Sequence, residues 1–199
     1  YKNCVAVCSS EELSGRLREL LQGKSRDEIF ELPFVYGQTI HYVPDYGHCQ
    51  YTSAYSRYKC TLLFGEDIRT LQGLTAFENS LVFEKDGSTA ARAVCFAEDG
   101  KQIIGVAGAS ATSADSLWEI GIDVREKYRG EGLGTYLVSR LTDELMKRDI
   151  VPFYSASVTN IGSQRTAHRS GYIPMWVDTF GTILDGSSVY DDIVGRIKY

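Results

Sequence analysis

The sequence predicts an α/β fold in which helices flank a mixed β-sheet. Two strand-like runs, residues 90–97 and 102–109, flank Asp99-Gly100, a dipeptide typical of hairpin turns because both residues tolerate positive φ. Residues 117–124 (LWEIGIDV) alternate as a third strand does, and an amphipathic helix pattern and a further strand pattern follow them. Because a helix that joins two strands of one sheet forms a crossover, the strands on either side of it are expected to be parallel.

Residues 1–57 predict an N-terminal extension that is helical at first and rich in tyrosine afterwards. Residues 9–23 place leucines at helical spacing between a serine cap and a glycine, which predicts one helix. Residues 24–32 predict a second helix, which ends at Pro33. In residues 34–59, tyrosines lie among Gly, Pro and Ser without periodicity, so we expect an irregular, packed segment there.

Residues 58–199 are expected to form the core domain. Its long helix has Leu133, Leu137, Leu141 and Leu145 four residues apart, which predicts the buried face of that helix. The predicted elements, in chain order, are a strand at 61–64, a short helix at 66–72, strands at 90–97, 102–109 and 117–124, a helix at 133–148, a strand at 152–158, a helix at 161–170, and two strands after residue 173 joined at Asp185-Gly186.

Composition narrows the possible partners and the compartment. The 199 residues suit one domain with a small appendage, and a hydrophobic content of 43% suffices for a core. The net charge of −5 argues against nucleic acid, and no apolar run approaches the ~20 residues that a membrane span needs. The five cysteines form no CxxC pair, so we expect free thiols in a reducing cytoplasm. We expect a monomer or a homodimer.

The segment RGEGLGT, residues 129–135, predicts a phosphate-binding turn between a strand and a helix. A dinucleotide fingerprint would need glycine where Thr135 stands, and a nucleotide P-loop would need a lysine that is missing. What remains is Arg-x-x-Gly-x-Gly, formed by Arg129, Gly132 and Gly134. Backbone N–H groups and the helix dipole at such a turn stabilise a diphosphate without a metal. The alternative is a glycine-rich turn that only packs tightly.

Two blocks of the sequence resemble the GNAT (GCN5-related N-acetyltransferase) superfamily. IGIDVREKYRGEGLGTYLVSRL, residues 120–141, resembles the coenzyme A-binding motif of that family, and VTNIGSQRTAHRSGYIP, residues 158–174, resembles its next block. The resemblance extends over roughly residues 88–185. It implies a GNAT-type mixed, mostly antiparallel sheet in which two central parallel strands splay apart.

The resemblance also implies acetyl-CoA as the cofactor. The diphosphate would lie on the glycine turn and the pantetheine arm beside the end of the preceding strand, with the asparagine of the second block as a further contact. The cofactor-binding residues that this implies are Ile122, Val124, Arg129, Gly130, Glu131, Gly132, Leu133, Gly134, Thr135, Asn160 and Ser163.

Attack of an amine on a thioester requires a base, because only the neutral amine is a nucleophile. Glu119 is the predicted catalytic base, since it lies on the strand that would bear the acyl group, and in several GNAT enzymes an acidic residue on this strand has that role. Asp123 shares its face and is a second candidate. A backbone N–H near Ile122 is the predicted donor to the oxyanion that develops during attack.

The acid that would protonate the leaving thiolate is not evident. Many members of the family carry a tyrosine seven residues after the asparagine of the second block, where this sequence has Ala167. Tyr154, Tyr172 and His168 are possible substitutes, and a further possibility is that no dedicated acid exists. A thiol leaves comparatively easily, so an acid helps without being indispensable.

The sequence thus predicts an N-acetyltransferase that transfers an acetyl group to a primary amine of a small molecule or peptide by direct attack in a ternary complex. One alternative is a non-catalytic acyl-CoA-binding regulatory domain, and another is a structural domain whose turn binds nothing. We expect no metal, because the spacing of His41 and His48 matches no metal motif. Cys95 is expected to be a buried thiol and not an acyl carrier.

Overall fold

The computed structural model describes residues 4–32, 35–46 and 57–181. The helices are α1 (Glu11–Leu21), α2 (Arg26–Phe30), α3 (Leu133–Met146) and α4 (Ile161–Arg169), with two 3-10 helices at Gly65–Leu71 and Glu126–Tyr128. The strands are β1 (Val35–Pro44), β2 (Lys59–Phe64), β3 (Ala91–Asp99), β4 (Gln102–Ala111), β5 (Leu117–Val124), β6 (Val151–Ser157) and β7 (Tyr172–Gly181).

The strands form one sheet in the order β2-β3-β4-β5-β6-β1-β7. The pairs β2-β3, β3-β4 and β4-β5 are antiparallel, and β5-β6 is parallel because α3 connects these two strands. The prediction of a mixed, mostly antiparallel sheet flanked by helices is therefore confirmed. None of the helices within the described ranges is both long and apolar enough to cross a membrane.

The chain divides into two compact units. One consists of residues 1–40 and 176–199 and contains α1 and α2; the other consists of residues 41–175 and contains β2 to β6, α3 and α4. The predicted boundary between residues 57 and 58 stays a prediction, because residues 47–56 lie outside the described ranges. The predicted turn at Asp185-Gly186 also lies outside them.

A serine precedes each of the two N-terminal helices, and at α2 its side chain caps the helix. Helix α1 follows Ser10, and α2 follows Ser25, whose hydroxyl accepts a hydrogen bond from the Glu28 N–H at 3.3 Å. The Glu28 carboxylate in turn accepts from the Ser25 N–H at 2.7 Å, which completes a capping box. The predictions of both helices are confirmed.

The prediction of an irregular segment over residues 34–59 is wrong for β1. That ten-residue strand lies between β6 and β7 in the sheet. Tyrosine, histidine and β-branched residues fit a strand, but Gly37, with a φ of +69°, interrupts their alternation. Both sheet neighbours of β1 come from beyond residue 150, so short-range patterns contain no sign of this pairing.

Two different layers cover the faces of the sheet within the unit of residues 41–175. The predicted leucine face of α3 is confirmed, since all four leucines are buried. The atoms nearest to a Cβ built on Gly105 of β4 belong to the side chains of Leu137 and Leu133, at 3.0 and 3.3 Å, so α3 covers this face of β4. The opposite face carries a second core cluster, in which residues of segment 65–83 pack on β3 and β4.

Candidate active site

The two parallel strands of the sheet separate halfway along their length. Strands β5 and β6 pair from Leu117–Val151 to Ile120–Tyr154, and the pairing ends there, although both strands continue for at least three more residues. The separation opens a cleft of about 370 Å³. Its lining residues are Asn79, Ser110, Glu119, Ile120, Gly121, Ile122, Tyr154, Ser155, Ala156, Ser157, Asn160 and Ser163. The splay that the family resemblance implies is therefore present.

Strand alternation gives the cleft two chemically different sides. Glu119 and Ser155 lie on one side, where the Ser155 hydroxyl donates a hydrogen bond to Glu119 Oε1. Tyr154 lies on the other face, beside the side chain of Ser163 on α4. Because both sides line one cleft, a ligand from the helical face can meet a ligand from the Glu119 face inside the sheet.

The glycine turn leads from β5 into α3. Gly130 and Gly132 have φ of +81° and +86°, and a Cβ built on either of them would meet no atom within 4 Å. Gly132 is the N-cap of α3 and provides no side-chain cap, so the first N–H groups of the helix remain for a ligand. This open, uncapped helix start has the shape and the donors that a diphosphate needs.

The other residues of the turn have distinct structural roles. The Arg129 Nε donates to the Val124 carbonyl oxygen at 2.8 Å, which holds this exposed side chain beside the end of β5. The Glu131 carboxylate forms a 2.8 Å ion pair with Arg57, a cation that the sequence patterns did not single out. Leu133 is buried, so only its backbone faces a ligand.

The last two residues of the turn, Gly134 and Thr135, lie in the first turn of α3. A Cβ on Gly134 would lie 3.5 Å from Val124 Cγ2 and 3.6 Å from Ile122 Cγ1, so a glycine here lets α3 approach β5 closely. Thr135, in the first turn of the same helix, accepts a hydrogen bond from the Ser170 hydroxyl at its carbonyl oxygen.

At the start of α4, the Asn160 side chain acts as the N-cap and accepts from the Ser163 N–H at 3.1 Å. Both residues line the cleft, together with Ile122 and Glu119. Their contacts with a cofactor stay a prediction.

Asp123 has a different role from that of Glu119. Its carboxylate accepts four hydrogen bonds, from the backbone N–H groups and the side chains of Asn79 and Ser80, at 2.6–2.9 Å. All four donors belong to residues 79 and 80, and Asp123 is not among the residues that line the cleft. The structure therefore uses Asp123 to anchor a loop, and Glu119 is the carboxylate that lines the cleft.

Of the three candidate acids, only Tyr154 lines the cleft. Burial raises the pKa of Tyr154 above its ordinary value, while the Ser163 hydrogen bond acts in the opposite direction. Tyr172 is buried and its hydroxyl lies 2.6 Å from the Thr142 hydroxyl, and His168 Nδ1 lies 3.4 Å from the Tyr172 carbonyl oxygen. Ala167 is fully buried and contributes no polar group.

Cys95 and His41 both lie in packed surroundings. Burial raises the pKa of the Cys95 thiol to about 12, so this residue stays protonated and inert as a nucleophile. The His41 ring packs 5.8 Å from the ring of Phe153, and His48 lies outside the described residues.

Sequence reasoning missed Asn79, Ser110 and Ser155, which line the Glu119 side of the cleft. Ser110 pairs with Glu119 across β4 and β5, so it follows from the strand register once that register is known. Asn79 comes from a segment without periodicity. The one sequence signal for it is a glycine in each of two neighbouring strands, Gly108 and Gly121.

Comparisons with known proteins agree with this geometry. The family model of the acetyltransferase (GNAT) family matches residues 61–172, which is more than half of the chain. No curated protein sequence matches.

Two solved structures have a fold similar to that of this chain. A GNAT-family protein from Novosphingobium aromaticivorans has a TM-score of 0.56 at 18% identity, over 74% of this chain and 66% of that one. A GCN5-related N-acetyltransferase-like protein from Streptococcus suis also has a TM-score of 0.56 at 18% identity, over 85% of this chain and 67% of that one. The chain thus spans about two thirds of the length of these structures, and the similarity concerns the fold.

Proposed function

The chain belongs to the GNAT acetyltransferase family, and from that premise we propose that it transfers an acetyl group from acetyl-CoA to a primary amine of a small molecule or peptide. The proposed reaction is direct attack in a ternary complex. The observation that carries the proposal is the cleft in the sheet, which is lined by Ile122, a neighbour of Gly134 in the glycine turn, and by the carboxylate Glu119 on the face opposite α3.

The residues present fit a bound acyl-CoA. The glycine turn offers open space at Gly130 and Gly132 and uncapped N–H groups at the start of α3, which suit a diphosphate. The backbone of Ile122 lies beyond the last β5–β6 pair, so its polar groups are available to a pantetheine amide or to the thioester oxygen. When bound, acetyl-CoA supplies the thioester carbonyl that is attacked.

Glu119 is proposed to accept the proton that the ammonium form of the acceptor must lose. When acetyl-CoA is bound, a C–N bond would form as the C–S bond breaks, and the second proton that the nitrogen loses would balance the one that the thiolate takes up. Ser155 holds the Glu119 carboxylate by its hydrogen bond and fixes the direction in which it faces. Tyr154 is proposed as the donor to the thiolate, because its hydroxyl lies on the helical side of the cleft beside Ser163.

The test is a pair of measurements on the whole chain. Calorimetric titration with acetyl-CoA, CoA and NAD should show binding of both CoA species and none of NAD. Acetyl transfer across a panel of primary amines should then show turnover with at least one of them. Folded protein that binds neither CoA species would refute the proposal.

A non-catalytic acyl-CoA-binding regulatory domain is the second candidate. Ala167, at the position of the family tyrosine, is the observation that favours it. Binding of CoA without turnover of any amine would support this second function over transfer.

Replacing Tyr154 by phenylalanine is expected to lower kcat by about 10-fold, a modest effect because a thiol leaves without full protonation. Since burial raises the pKa of Tyr154, the hydroxyl stays protonated throughout ordinary assay conditions, and the loss should be constant between about pH 7 and 9. Initial rates at saturating acetyl-CoA measure it.

Tyr172→Phe is the matched control, because Tyr172 packs edge-on against Tyr154 but bonds to Thr142 away from the cleft. It should lower the melting temperature and leave kcat unchanged. Equal values of kcat for the wild type and Tyr154→Phe would remove Tyr154 from the mechanism.

A further inference from the structure

Residues 77–81, called the strap below, lie directly on the face of the sheet that carries Glu119. Gly108 and Gly121 face each other across β4 and β5, and a Cβ on them would lie 1.7 Å from the carbonyl oxygens of Ser80 and Asn79, respectively. No side chain fits at either position without displacing the strap. The glycine pair therefore brings the strap backbone into contact with the sheet beside the cleft.

Asp123 fixes the orientation of the strap. The Asn79 side-chain nitrogen donates to Asp123 Oδ1 at 2.6 Å, and the Ser80 hydroxyl donates to Asp123 Oδ2 at 2.9 Å. With its amide nitrogen committed in this way, Asn79 can offer a ligand in the cleft its side-chain carbonyl oxygen. The strap thus contributes a hydrogen-bond acceptor in a fixed position.

The Glu119 side of the cleft has the chemistry of a cation site. Among the described residues that line the cleft, Glu119 carries the one formal charge, and no lysine or arginine is present. Asn79, Ser110 and Ser155 line the same cleft, so a side-chain amide oxygen and two hydroxyls accompany the carboxylate. A protonated amine has three donors for these oxygens, whereas a carboxylate on the ligand would be repelled by Glu119.

We propose that the strap and Glu119 form the acceptor subsite, and that this subsite selects primary amines that carry no carboxylate on the carbon bearing the reacting nitrogen. The proposal deepens the acetyltransferase function above and rests on it. Asn79 is the residue that determines this selectivity together with Glu119, and Asp123 is a positioning residue that holds Asn79 in place.

Matched ligand pairs test the selectivity. Isobutylamine against valine, and 2-phenylethylamine against phenylalanine, differ only by the carboxylate. Calorimetry on the full chain saturated with CoA should show at least ~10-fold tighter binding of the amine in each pair, and kcat/KM for acetyl transfer should have the same order. The proposal would be overturned if the amino acids bound as tightly as the amines or more tightly, or if none of the four ligands bound.

Variants of the strap test the assignment of Asn79. Asn79→Ala should raise KM for isobutylamine at least ~10-fold, with kcat and the Kd of acetyl-CoA changed less than ~2-fold. Asp123→Asn should raise the same KM, and Glu84→Ala, at an exposed position beyond the strap and outside the cleft lining, is the control that should not. If Asn79→Ala weakened the binding of acetyl-CoA as much as the binding of the amine, the assignment would be contradicted. Absence of acetyl transfer with amine binding intact would refute the function and leave the subsite standing.

Discussion

Replacing Gly132 by aspartate is expected to weaken acetyl-CoA binding by at least ~100-fold, a cost of about 2.7 kcal/mol. Gly132 is the N-cap of α3, and the space into which a side chain would project contains no protein atom within 4 Å. An aspartate there puts a negative charge where the diphosphate is proposed to bind, against the same N–H groups. Calorimetric titration with acetyl-CoA measures the loss.

A control variant must separate the effect of the added charge from the effect of placing a side chain at a positive φ. Gly73 has a φ of +88°, close to the +86° of Gly132, and also has open space beside it, but it follows the 3-10 helix at Gly65–Leu71. Gly73→Asp should lower the melting temperature about as much as Gly132→Asp and leave the Kd of acetyl-CoA unchanged. If both variants bind acetyl-CoA like the wild type, the glycine turn is not the phosphate site.

Replacing Glu119 by glutamine is expected to lower kcat by about 100- to 10,000-fold, the range typical of a general base. Glutamine keeps the shape of the side chain and can still accept the hydrogen bond from Ser155, so the cleft should keep its geometry. As pH rises, more of the acceptor amine is already neutral, so the deficit of the variant should shrink. A pH profile of kcat/KM for the best amine measures this.

Glu66→Gln provides the comparison, because Glu66 is an exposed carboxylate in an ion pair with Arg69. It should leave both kcat and the pH profile unchanged. A Glu119→Gln enzyme with wild-type rates at every pH would show that Glu119 is not the base, whatever it contributes to acceptor binding.

The features predictable from the sequence are those that local patterns determine. The leucines of α3 repeat at helical spacing within one segment, and Asp99-Gly100 forms a turn from its own two residues, with Gly100 at a φ of +61°. The glycine turn likewise needs only the residues from Arg129 to Thr135. In each case the interactions that select the conformation lie within a few residues, so periodicity and turn chemistry suffice.

The features that were missed depend on partners far along the chain. Strand β1 lies between strands that begin more than 100 residues later, and its register is set by them. The strap reaches the sheet because Gly108 and Gly121 become neighbours only after β4 and β5 pair. Asp123 looked like a second base because its position on the strand face was visible, whereas its four donors on the strap were not.

The position of β1 determines which fragments of the chain keep the sheet complete. Residues 61–172, which match the family model, include most of β2 and all of β3 to β6, but omit β1, which lies inside the sheet. A fragment trimmed to that match would leave the hydrogen-bonding edge of β6 bare, and such edges recruit other chains and promote aggregation. Residues 35–44 are therefore part of the sheet, and a fragment that is meant to keep all seven strands must include them.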